Sequence, residues 1–224
     1  LPMLFAEWDS LAAGDPLRER LREPIAALKG WDRESGAASV ETTLFVLWDE
    51  AYRLREREGQ RLPLIVSLDE AVDVLEREFG TWEVPWREVF RHQRRADGDA
   101  VSWDESRPSH PTSANHGRYG VMFHMRGEPY EGRRESVKRR MTFGDSFVSI
   151  VEFTPDGPEA RSVVAYGNSS RPGSPHWDDQ AAMFARGGMK PVLFEMDDVL
   201  ANLEESYRPG EREAGGRDEP RGRR

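Results

Sequence analysis

Five histidines, His92, His110, His116, His124 and His176, are the side chains of this sequence best suited to metal or acid-base chemistry. None pairs at the i, i+4 spacing that sets two imidazoles on one helical face, so no metal site is expected. The chain has 0 cysteines, which removes disulfides, thiolate zinc ligands and a thiol nucleophile. Gly117 and Gly120 precede a strand-like run and Gly187-Gly188 follows a helical one. A phosphate cradle needs the reverse order, so nucleotide binding is unsupported, and cofactors are not implied. Ser146, Ser149, Ser169, Ser170 and Ser174 all lie outside a G-x-S-x-G elbow and read as turn and cap residues.

Glu152 stands apart. It falls in Phe147-Val148-Ser149-Ile150-Val151-Glu152-Phe153, and period-two counting puts it on the side of Val148 and Ile150. A carboxylate on an apolar face needs a partner, because burying it unpaired is costly. One reading is a glutamate that orients a histidine or arginine supplied from elsewhere. The other is a wet glutamate beside a hairpin turn.

The elements that would position these residues divide the chain in two. Through the first ninety residues apolar positions recur at three and four, with helix signals at the ends. Asp15-Pro16 marks an N-cap and first helical position, and Pro24 interrupts the helix that runs to Gly30. Ser39 opens a helix whose Leu44, Leu47, Trp48 and Tyr52 share a face. Ser67 with Glu70 forms a capping box for a third helix that ends at Gly80. Residues 95–117 are polar and rich in turn residues, which predicts a long surface loop. From Tyr119 the period becomes two, predicting strands over 119–125, 146–153 and 160–166, the last two joined as an antiparallel hairpin by Pro155-Asp156-Gly157-Pro158. Ser174-Pro175 should open a short helix closed by Gly187-Gly188, and a last helix starts at Asp197. The fold class is α+β. The segments expected are 1–94 helical, 95–117 loop, 118–207 antiparallel sheet with helices, and 208–224 a disordered tail.

Of the residues, 37% are apolar, enough for a core, and no apolar run reaches the ~18 residues a membrane helix needs. A net charge of -9 argues against a phosphate-binding surface, so neither nucleic acid nor membrane is an expected partner. The first residue is Leu1, and the chain is expected to be a piece of something longer.

Three stretches, GDSFVSIVEF, YGNSSRPGSPHWDDQ and KPVLFEMDDVLANLEE, resemble the C-terminal end of the large subunit of the penicillin acylase family of N-terminal-nucleophile hydrolases. LKGWD, LFVLW and WREVFRHQR resemble the preceding helical part of that subunit. The likeness is greatest to cephalosporin (glutaryl) acylases and acyl-homoserine lactone acylases. It implies a share of an αββα sandwich, and a self-cleaving precursor whose newly exposed N-terminal serine attacks an amide while its own amine takes the proton. The nucleophile and oxyanion-hole donors would lie upstream, leaving this piece inert alone. The implied partners are the α subunit, the N-terminal part of the β subunit and a small N-acyl substrate, and the implied location is the periplasm or outside the cell. Glu152 matches the glutamate that in cephalosporin acylases hydrogen-bonds a histidine close to the nucleophile, the only catalytic role implied here. Tyr166-Gly167, Pro175 and Asp179-Gln180 are expected to be scaffold. The competing expectation is a binding or assembly module on an acylase scaffold that has lost its active site.

Overall fold

The structure, a computed structural model, describes residues 1–60, 62–94, 108–129, 137–203 and 206. Most of the polar stretch (95–107) and the whole tail from 207 onward, including the expected disordered segment 208–224, lie outside these residues.

The helical half is built on apolar stripes. After α1 (Pro2–Ser10), α2 (Pro16–Arg20) begins where Asp15 accepts the amide of Leu17 at 2.9 Å, with Pro16 at the first helical position. The break before α3 (Arg22–Gly30) comes at Leu21, and Pro24 sits in the first turn of α3, where a missing amide costs nothing. Ser39 caps α4 (Val40–Arg57) by accepting the amide of Thr42 at 2.9 Å. Gly80, at φ 76°, closes α5 (Leu64–Phe79) in the left-handed region. Leu4, Leu21, Ile25, Leu28, Leu44, Leu68 and Leu75 are buried together between these helices. Arg20 on α2 binds Asp69, Asp73 and Glu76 along one face of α5 and pins the short helix to the long one.

The expected capping box of α5 is overturned. The helix starts at Leu64, three residues before Ser67, whose hydroxyl is buried without a hydrogen-bond partner. Its first amides are satisfied from another helix: Glu7 of α1 accepts Leu64 N at 3.0 Å and Ile65 N at 3.1 Å. A carboxylate there also meets the positive end of the helix dipole. Replacing Glu7 with alanine should cost about 0.5–2 kcal/mol, the range for a lost N-cap. Urea unfolding would measure it, with faster amide exchange at Leu64 and Ile65 as the local signature.

A short helix α6 (Trp86–Val89) leads into β1 (Phe90–His92), a strand inside the segment 1–94 expected to be helical. β1 pairs antiparallel with β2 (His110–Pro111) and parallel with β4 (Arg139–Gly144), while β3 (Met125–Pro129) pairs antiparallel with β4, giving the order β2-β1-β4-β3. The described end of the expected loop is therefore structured, and Thr112, Ala114 and Asn115 within it are buried. The strand expected from Tyr119 is also corrected: Gly117–Tyr119 form a 3-10 turn, Gly120 adopts φ 76°, and β3 begins only at Met125. A positive φ takes the chain out of the extended region, whatever the apolar alternation.

A second sheet has the order β5-β6-β7, all antiparallel. The hairpin forms as expected from β5 (Phe147–Thr154) and β6 (Gly157–Val164), around Pro155-Asp156 with Gly157 at φ 125°. β7 (Lys190–Val192) adds to β6. The helix expected from Ser174-Pro175 starts later, as α7 (Ala181–Ala185) behind Gln180, and α8 (Met196–Ala201) ends the described fold. Helices with one mixed and one antiparallel sheet make the α+β class expected.

Candidate functional site

Glu152 sits near the hairpin end of β5, directly opposite Glu159, and Ile150 faces Arg161 two pairs further from the turn. These residues share one face of the sheet. At its inner end the face joins the core through Val148 and the fully buried Val163. Toward the turn it opens into a shallow basin of about 600 Å³, lined by Ile150, Glu152, Arg161 and Phe194 among others. Glu152 is exposed, and no hydrogen bond or ion pair ties it to another described residue. Ile150 (47% exposed) beside it, and Phe147 (59%) and Phe153 (86%) on the opposite face, are apolar and uncovered. Chemically, this is an acceptor set on a rigid strand with space above it. An N–H donor arriving from another segment would find both carboxylate oxygens open, and covering the apolar surround would strengthen the bond by lowering the local dielectric.

None of the chain's histidines is hydrogen-bonded to Glu152 among the described residues. His92 is fully buried, its Nε2 lies 2.5 Å from the carbonyl of Ala165, and its ring stacks on Tyr166 with centroids 4.6 Å apart. A carbonyl only accepts, so Nε2 carries the proton and Nδ1 is left as a buried acceptor without a partner. Burial pushes the His92 pKa down to about 4, against a smaller upward pull from the Ala165 bond. His110, the antiparallel neighbour of His92, is also shifted down by burial. His116 Nδ1 accepts Arg118 N at 3.1 Å, and His124 packs against Gly117. His176 Nδ1 lies 3.0 Å from Asp179 at the surface.

The stretches singled out by resemblance meet in space, a juxtaposition the sequence did not announce. Arg94, from WREVFRHQR, lies over the ring of Trp177 at 3.6 Å and near Tyr166 at 5.3 Å, and donates to the Trp177 carbonyl. Gln180 donates its amide to Tyr166 O at 2.8 Å and accepts Val164 N at 3.1 Å, tying α7 to the end of β6. A Cβ on Gly167 would collide with the backbone carbonyl of His176, so only glycine lets these two segments meet. The cluster joins the β1 sheet to the hairpin that carries Glu152, which fits the scaffold role expected of Tyr166-Gly167 and Asp179-Gln180.

Curated proteins similar to this chain are acylases. A stretch of 63 residues is 32% identical to aculeacin-A acylase of Actinoplanes utahensis, covering 28% of this chain and 8% of that protein. A stretch of 65 residues is 43% identical to the acyl-homoserine lactone acylase PvdQ of Pseudomonas fluorescens, covering 29% of this chain and 8% of the relative. The PvdQ of Pseudomonas syringae pv. tomato is 34% identical over 95 residues, 42% of this chain and 11% of the relative. The matched stretches thus span only about a tenth of the relatives' length, between 8% and 11%. The sequence model of the penicillin amidase family matches much further, over residues 1–201, through the helical half, both sheets and α8. On that match the chain belongs to the penicillin amidase family.

Proposed function

We propose that this chain is the C-terminal part of the catalytic subunit of an acylase-type amide hydrolase, and that Glu152 is a positioning residue for its active centre. The reading rests on the family match over residues 1–201. In the proposed reaction a serine at the start of an upstream segment attacks the amide carbon, its own α-amine takes the hydroxyl proton, the amine product leaves, and water hydrolyses the acyl-serine. Donors on the upstream segment hold the oxyanion. Glu152 accepts the N–H of an upstream histidine, fixing its tautomer and stabilising its charged form without taking a proton itself. The uncovered Phe147, Phe153, Phe194 and Leu200, each more than half exposed, support an assembly in which the remaining acylase chains cover this sheet and α8. With it goes processing from a longer precursor, and residence in the periplasm or outside the cell.

The acyl group is fatty, aromatic or dicarboxylic, and the names of the similar proteins favour an N-acyl-homoserine lactone as the first amide to test. The full-length, processed protein should release free acid and intact homoserine lactone from a chain-length series, and rapid-quench mass spectrometry should find one acyl group on the N-terminal serine. Ring opening in place of amide cleavage, or an acyl group on another residue, would overturn the proposed chemistry.

A further inference from the structure

A second pocket, of about 340 Å³, lies in the helical half and shares no lining residue with the Glu152 basin. Trp31, Phe45 and Tyr119 line it together with Arg33, Arg118, Asn115 and Leu1, among others. The aromatic rings pack on one another, Phe45 standing 5.4 Å from Trp31 and 5.2 Å edge-on from Tyr119. The walls are tied down from outside. Tyr119 Oη donates to Asp49 at 2.8 Å, and Ser35 Oγ donates to Ser113 O at 2.7 Å, linking the turn after α3 to the buried strip before the 3-10 turn.

The cations are unequal. Asp49 is occupied by Arg53 at 2.8 Å and by Tyr119, and Arg118 reaches Asp49 and Glu50 only at 3.7 and 3.6 Å. Arg33 has no ion pair among the described residues, in a chain whose net charge is -9. It is also the only non-glycine among them with a positive φ, 69°, held in a turn where Trp31 Nε1 donates to Glu34 O at 3.1 Å and Asp32 accepts Glu34 N at 2.8 Å. Residues kept in that region against their preference cluster at ligand clamps and active sites, and Arg33 is an exposed residue in the lining of a formed pocket.

From the aromatic walls, the unpaired guanidinium and a volume near the lower end of the ~300–1,000 Å³ typical of ligand sites, we infer that this pocket binds a small amphiphilic carboxylate. The apolar body lies against the wall that Trp31, Phe45 and Tyr119 form together, and the carboxylate lies on Arg33, whose planar fork matches it in two parallel hydrogen bonds. The inference stands apart from the reading of Glu152.

Isothermal titration of the full-length protein with 3-phenylpropionate and with its neutral counterpart 3-phenylpropanol tests it. The acid should bind about tenfold or more tightly than the alcohol, as a charge-assisted pair predicts. Arg33→Gly should reduce that preference to below about threefold while the thermal midpoint holds or rises, since glycine takes φ 69° without strain. Phe45→Leu should weaken acid and alcohol together. Equal affinity for the two ligands, or a preference that survives Arg33→Gly, would overturn the site. So would the lack of saturable uptake, the result expected if polypeptide preceding Leu1 fills the pocket.

Discussion

In the amide hydrolase proposed above, Glu152→Gln should lower kcat of the assembled enzyme by about 10²–10⁴, the range seen when the orienting carboxylate of a catalytic triad is removed. The amide keeps the shape and one acceptor of the carboxylate but cannot stabilise an imidazolium. The loss should therefore fall on kcat, with KM little changed. Because Glu152 is exposed and makes no hydrogen bond or ion pair among the described residues, the exchange should leave the folding of the chain itself nearly untouched. Two readouts separate positioning from mere structure. The acidic limb of the kcat/KM profile should move, because the histidine loses the charge that holds its pKa up, and Glu152→Asp should recover part of the rate. An unchanged kcat in Glu152→Gln sinks the role proposed for Glu152 and leaves the family assignment standing.

His92 carries the second large effect, on stability. Its pKa is about 4 in the folded chain against 6.5 unfolded, the main cause being burial. The unfolded chain therefore binds this proton more readily than the folded one. The stability His92 contributes as a neutral ring is complete above pH 6.5 and is lost as pH falls from 6.5 toward 4. A shift of this size is worth about 3 kcal/mol when lost. Urea midpoints at pH 7 and pH 4.5 should differ accordingly. His92→Phe keeps a ring against Tyr166 and Phe184, gives up the Ala165 bond, and should flatten the pH dependence. An equal slope in both proteins would mean that other groups drive the acid transition.

Where a feature is encoded within a few residues, the sequence was readable. Asp15-Pro16, Ser39, Gly80 and the Pro155-Asp156-Gly157 turn do what their side chains and φ preferences require. Where the decisive partner is distant, it was not. Ser67 and Glu70 look like a capping box only until Glu7, 57 residues from Leu64, is seen to take the amides. Glu70 instead meets Arg55 at 2.9 Å. β4 escaped notice because Arg139 and Arg140 open it, and the buried Arg140 hides the alternation that would mark a strand. The run from Tyr119 shows the opposite failure, an alternating pattern carried by a turn. As for the site, Glu152 was visible as an acid in an apolar strand. The Arg33 pocket was not, because residues 31–45 and 115–121 become neighbours only through tertiary contacts such as that of Ser35 with Ser113.

The outer side of β5 has no neighbouring strand among the described residues. Its eight residues, FVSIVEFT, combine high β propensity with a single charge, the composition that stacks readily into steric zippers. Glu152 is that charge. Whatever it does for an imidazole, a charge at this position repels its own copy when two such edges approach in register. Glutamine at this position invites the ladders that glutamate forbids, and Glu152→Asp is the exchange that keeps nascent chains apart while shortening the reach of the carboxylate.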